Sequence, residues 1–94
     1  MIENIKTYNV LISGRVQGVG FRYFTVSVAD KYDVKGFVRN IPGAKVEIIC
    51  QGEEEELKSF MDEVKKGPAF SVITDAAIGE VPENKRYNSF KIKY

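Results

Sequence analysis

Gly14-Arg15-Val16-Gln17-Gly18-Val19-Gly20-Phe21-Arg22 is the stretch whose residue types and spacing could do chemistry, because it gathers three of the chain's eight glycines and ends on an arginine. A glycine-rich turn that leads from a strand into a helix lets consecutive backbone N–H groups converge on one point. The helix dipole adds about half a positive charge there. Arg22 then stands in the first helical turn, where a cation opposes the dipole unless an anion lies between them. A phosphate group resolves that conflict, since its oxygens accept charge-assisted hydrogen bonds from the guanidinium and further bonds from the amides. The alternative is a loop whose glycines serve only the turn and whose arginine reaches solvent. Asn40, in Gly36-Phe37-Val38-Arg39-Asn40, is a second candidate. An asparagine before Ile41-Pro42-Gly43 can start a turn, and its amide can equally accept from one group while donating to another, orienting a water without acting as a base.

Inventory excludes several chemistries. The chain has no histidine and a single cysteine, Cys50, so serine–histidine and cysteine–histidine nucleophile pairs, a disulfide within the chain and a thiolate metal cluster are all ruled out. The loop contains no Asp or Glu, and no metal ligand set is evident around it. Familiar phosphate fingerprints fail too. A P-loop register begun at Gly14 meets Val19 in place of its second glycine and has no lysine after it. A dinucleotide register begun at Gly18 meets Tyr23 where its third glycine belongs. No cofactor is expected.

The elements that must position these residues can be read from periodicity. In residues 7–14, Tyr8, Val10, Ile12 and Gly14 alternate as in a strand. From Phe21 the period lengthens, with Phe21, Phe24, Thr25, Val28, Ala29 and Tyr32 on one helical stripe, and Asp33, tolerant of left-handed backbone, is the expected stop. Strands are predicted over 35–40 and 45–51, joined by a hairpin turn through Asn40-Ile41-Pro42-Gly43, with Val46, Ile48 and Cys50 facing the core. Leu57, Phe60, Met61 and Val64 define a second helix that carries carboxylates in its first turn and lysines in its last, and that ends at Gly67-Pro68. Residues 71–78 and 87–94 read as two more strands, the last an edge or an extension. This order gives a ferredoxin-like α+β sandwich, βαββαβ, with an antiparallel sheet and two helices on one face.

With 94 residues, 44% of them hydrophobic, the chain suits one domain over 1–94. Its formal net charge of +1 lacks the basic excess of a phosphate-backbone binder, so nucleic acid is not an expected partner. No segment approaches the ~20 apolar residues of a membrane span, and the first ten residues hold no apolar run of signal-peptide length. A cytoplasmic protein is expected, and a monomer is the default for this size.

The segment Gly14–Arg22, followed at the appropriate spacing by Gly36–Asn40, resembles the acylphosphatase family. The likeness continues through VEIICQG, KKGP and SFKIKY and so covers nearly the whole chain. Asp33 departs from a glycine often found there in similar proteins, and Phe37 stands where tryptophan is frequent. The resemblance implies a small ferredoxin-like enzyme that hydrolyses the carboxyl–phosphate bond of acyl phosphates without a metal. It implies that loop residues Arg15, Val16, Gln17, Gly18, Val19, Gly20 and Phe21 wrap the phosphate with their amides, that Arg22 grips its oxygens and that Asn40 holds the attacking water. The expected partner is a small acyl phosphate, with inorganic phosphate or sulfate as product-like ligands. Two rivals remain. One is an RNA- or anion-binding module of the same topology, faintly echoed in Lys35-Gly36-Phe37-Val38 but lacking an aromatic in KVEIICQ. The other is a regulatory domain of acylphosphatase type.

Overall fold

The computed structural model describes residues 4–82 and 85–94. The chain runs β1 (Ile5–Arg15), α1 (Phe21–Lys31), β2 (Lys35–Ile41), β3 (Lys45–Glu53), α2 (Glu54–Val64), β4 (Val72–Glu80) and β5 (Phe90–Lys93). One five-stranded sheet has the order β4-β1-β3-β2-β5. Residues paired directly across strands share a face. Val10 pairs with Ile48, Ile12 with Val46, and Val38 with Ile48. All five are buried, and they join Phe21, Val28 and Ala29 of α1 and Leu57, Phe60 and Val64 of α2 in one cluster. Both helices therefore cover the same face, as the ferredoxin-like reading requires.

The helices stop where local chemistry dictates. Asp33, at φ 55°, takes the left-handed conformation that its short polar side chain tolerates and turns the chain into β2. The helix α2 ends at Val64, two residues earlier than its lysines suggested. Lys65 and Lys66 thus follow the helix rather than fill its last turn, and the Gly67 amide closes onto the Val64 carbonyl at 3.0 Å.

Two expectations are corrected. Asn40 does not start the hairpin turn. It pairs with Val46 inside the β2–β3 ladder, Ile41 pairs with Lys45, and the turn is Pro42-Gly43-Ala44. The last strand is short, and it runs parallel to β2, while the other three pairings in the sheet are antiparallel. The physical reason is a crossing. β4 and β5 lie at opposite edges, so the connecting segment must pass the end of the sheet that holds Thr7 and Gln51. Buried Gln51 pins that segment: its Nε2 donates to Thr7 Oγ1 at 2.9 Å and to the Lys85 carbonyl at 2.7 Å, and its Oε1 accepts from the Tyr87 amide at 3.0 Å. Phe90 then turns into the core beside Phe60, with ring centroids 6.0 Å apart.

Candidate active site

The predicted loop is bounded by two buried anchors. Val16 and Phe21 are each 1% exposed, so their side chains belong to the core and only their backbone faces the loop. Arg15 is the last residue of β1, and Phe21 is the first of α1, which leaves Val16 to Gly20 as irregular backbone. Gly14 begins the departure from the sheet. Between Ser13 and Gly14 the pairing with β4 skips Thr74, and at φ 131° a Cβ on Gly14 would lie 2.0 Å from the Val72 carbonyl oxygen. Only glycine lets the two backbones approach this closely.

Gly18 and Gly20 are glycine for a different reason. Their φ values of 74° and 77° are left-handed, yet a Cβ added at either would meet nothing within 4 Å. Space is open and conformation is the constraint. Gly20 is also the N-cap of α1, a cap with no side-chain hydrogen bond, and its carbonyl accepts the Phe24 amide at 3.0 Å. The first amides of a helix have no partner within the helix, and α1 has no acidic residue in its first turn to meet them. Arg22, half-buried in that turn, has its guanidinium carbon 5.1 Å from the centre of the Tyr94 ring. Among the described residues no carboxylate forms an ion pair with it. The start of α1 thus combines an N-terminus that no side chain caps, no acidic residue in its first turn and an arginine in that turn with no carboxylate partner among the described residues.

Asn40 sits at the end of β2 on the helix-covered face, since its partner Val46 is a core residue. Among the described residues, its Oδ1 is the buried side-chain polar atom that no protein group satisfies. Such orphan acceptors are costly unless a ligand or water meets them. The loop is tied to this end of the sheet by Gln17, whose Nε2 donates to the Ile41 and Lys45 carbonyls, both at 2.9 Å. On the opposite face of the sheet, Glu47 bridges Asn9 (3.0 Å) and Arg39 (2.6 Å) and so locks the strands next to Asn40. Burial pushes the Glu47 carboxyl up, but the hydrogen bonds from Asn9 and Arg39 outweigh it and hold the group below the usual carboxylate range.

A family model for acylphosphatase matches residues 8–92. The chain belongs to the acylphosphatase family. It is 46% identical to an acylphosphatase of Bacillus velezensis over 93% of this chain and 97% of that one. The crystal structure of acylphosphatase from Bacillus subtilis superposes with a TM-score of 0.91 at 42% identity, covering 95% of this chain and 99% of the other. Full-length HypF in its phosphate- and nucleotide-bound form matches with a TM-score of 0.89 at 37% identity, over all of this chain and 12% of that much longer one. These likenesses favour an acylphosphatase enzyme over a binding module that merely shares the topology.

Sequence reading missed three features of the site. The side-chain role of Gln17 depends on partners 24 and 28 residues away. The stacking of Tyr94 on Arg22 joins the far end of the chain to the first helix. Phe70, 86% exposed at φ 71°, lies two residues before Val72, the partner of Arg15. Residue propensities carry no signal for any of these.

Proposed function

We propose that the Arg15–Phe21 loop and Arg22 hold the phosphoryl group of an acyl phosphate and that Asn40 positions the water that cleaves it. The observation that carries this reading is the unsatisfied, buried Oδ1 of Asn40 at the strand end to which Gln17 ties the loop. A water that donates one hydrogen to Oδ1 directs a lone pair away from the amide, toward a phosphorus held by the loop. Its oxygen bonds to phosphorus, the bond from phosphorus to the acyl oxygen breaks, and the electron pair leaves on the carboxylate. The water's other proton passes to a phosphoryl oxygen, so products are a carboxylate and inorganic phosphate. The leaving group is good, and the protein therefore needs to orient the nucleophile and neutralise charge on the phosphoryl oxygens rather than supply a strong base.

The same reading makes the protein a cytoplasmic monomer formed as one domain over residues 1–94, with phosphate or sulfate as competing ligands of the loop. The one-domain part of this reading is supported by the cluster of buried side chains that the described residues form. No described helix is long and apolar enough to cross a membrane.

Hydrolysis of an aryl acyl phosphate by two variants tests the assignment. Arg22 touches the phosphate before and during reaction, so Arg22→Ala weakens phosphate inhibition on the order of 10-fold or more and lowers kcat as well. Arg22→Lys rescues little, because the planar fork is lost. Asn40→Ala keeps phosphate affinity within a few-fold while kcat falls on the order of 10²-fold. A well-folded Asn40→Ala with near-normal kcat, or one that loses phosphate binding as Arg22→Ala does, refutes the assignment.

A further inference from the structure

The proposed mechanism uses only the backbone of Gln17, yet its side chain makes the most specific contact of the loop. The Nε2 group donates to the carbonyls of Ile41 and Lys45, both at 2.9 Å. These two residues are the last pair of the β2–β3 ladder before the turn, and Ile41 directly follows Asn40. A primary amide has two N–H bonds, so a single planar group bridges both strands of the hairpin. We propose that Gln17 is a positioning residue that fixes the loop against the hairpin and thereby sets the distance from the bound phosphorus to the water on Asn40. The proposal rests on the assignment of Asn40 as the residue that holds this water.

Between its anchors the loop is packed only lightly, through half-buried Val19 against the core cluster. Val16 and Phe21 anchor the loop ends in the core, but Gln17 is exposed and the glycines at 18 and 20 have open space around them. Between the anchors the loop has no buried side chain, Val19 being only half-buried. A loop held at its ends and by Val19 alone keeps its amides and can still bind phosphate, while its register relative to β2 loses the one polar tie to the hairpin. Displacement of a reacting group by about 1 Å can cost on the order of 10²-fold in rate. The cost therefore falls on turnover and not on phosphate affinity. Removal of a merely stabilising contact would instead lower the melting temperature with kcat intact.

The test is a double-mutant cycle between Gln17→Met and Asn40→Ala, read as kcat for an aryl acyl phosphate, inhibition by inorganic phosphate and thermal melting. Methionine keeps the length of the side chain and removes its donors. Gln17→Met is expected to lower kcat about 10-fold while the phosphate inhibition constant moves less than about 3-fold. Gln17→Glu, which sets an acceptor against two carbonyls, is expected to lose more. In the Asn40→Ala background the Gln17→Met effect should shrink to less than about 2-fold, because the water whose placement it governs is already lost. If Gln17→Met keeps kcat within about 2-fold while Asn40→Ala is crippled, the Gln17 proposal alone is overturned. If the two losses multiply, Gln17 does not act through Asn40 and the proposal also fails. If folded Asn40→Ala is near normal, the assignment of Asn40 fails and the Gln17 role falls with it.

Discussion

The two glycine types in the loop region separate what the fold needs from what the site needs. Gly14 is required by a backbone neighbour, with a Cβ there 2.0 Å from the Val72 carbonyl oxygen, whereas Gly18 is required only by its φ of 74°. Gly18→Ala is thus expected to cost about 1–2 kcal/mol, the left-handed penalty of an L-residue. Gly14→Ala adds a clash with backbone that cannot move independently, and the loss is expected on the order of 3 kcal/mol or more. Urea unfolding of the two variants measures the difference, and equal losses would remove the distinction. Much at this scale was legible in the sequence. The irregular segment between β1 and α1 followed from Gly14, Gly18 and Gly20, and the burial of Cys50 followed from its place in an alternating strand. That thiol is fully buried, and burial pushes it up to about 12, the state of an inert core residue. What was not legible was which reading of Asn40 holds. Its type suits a turn, and only its pairing with Val46 in the ladder removes that use.

Elements were legible where a periodic stripe and a stop signal coincide, as in α1 and α2, and less so where long-range pairing decides. No local property of Phe90–Lys93 says that it lies parallel to β2. That follows from Gln51 holding the crossing segment through partners 34 to 44 residues away. The two helices are coupled in a similarly nonlocal way. Glu63 of α2 accepts from Lys31 Nζ at 2.6 Å and from the Tyr32 hydroxyl at 2.5 Å, at the end of α1. The Lys31 and Tyr32 hydrogen bonds hold the Glu63 carboxyl below its ordinary 4.5, while Glu63 raises Lys31 above 10.5 and Tyr32 above 10.0. A depressed acid contributes stability above its unfolded pKa and loses it as pH falls through the folded value. A raised Lys or Tyr contributes below its unfolded pKa and loses it as pH rises through the folded one. Glu63→Gln should therefore melt below the parent near neutral pH, with the gap closing both below about pH 4 and above about pH 10. Melting curves at about pH 3, 7 and 11 check this. A gap that persists unchanged at the acid end would mean that packing, not charge, joins the helices here.

At the scale of the whole molecule, the composition limits how the protein can answer its ligand. The chain has no histidine, and among the described residues no three His, Cys, Asp or Glu side chains cluster as a metal site would require. Turnover is expected to be unaffected by EDTA. Loss of activity on chelation that a divalent ion restores would overturn a metal-free mechanism. The only strong ligand-linked effect then comes from the anion itself. A ligand that binds the folded chain alone stabilises it by RT ln(1 + [L]/Kd), about 1.4 kcal/mol at ten times Kd. For a domain of this size, about 1 kcal/mol moves the melting temperature by about 4–8 °C, so saturating phosphate should raise it by about 5–10 °C. Sulfate should act likewise, whereas chloride at matched ionic strength should not, because the net charge of +1 leaves little general electrostatic strain for salt to relieve. Arg22→Ala should lose most of the phosphate shift and Asn40→Ala should keep it, since the proposed mechanism has only the first contact the anion. If millimolar phosphate moves neither the melting temperature nor the kinetics, the loop is a turn and not a cradle. If Arg22→Ala retains the full shift, the anion binds elsewhere on the molecule.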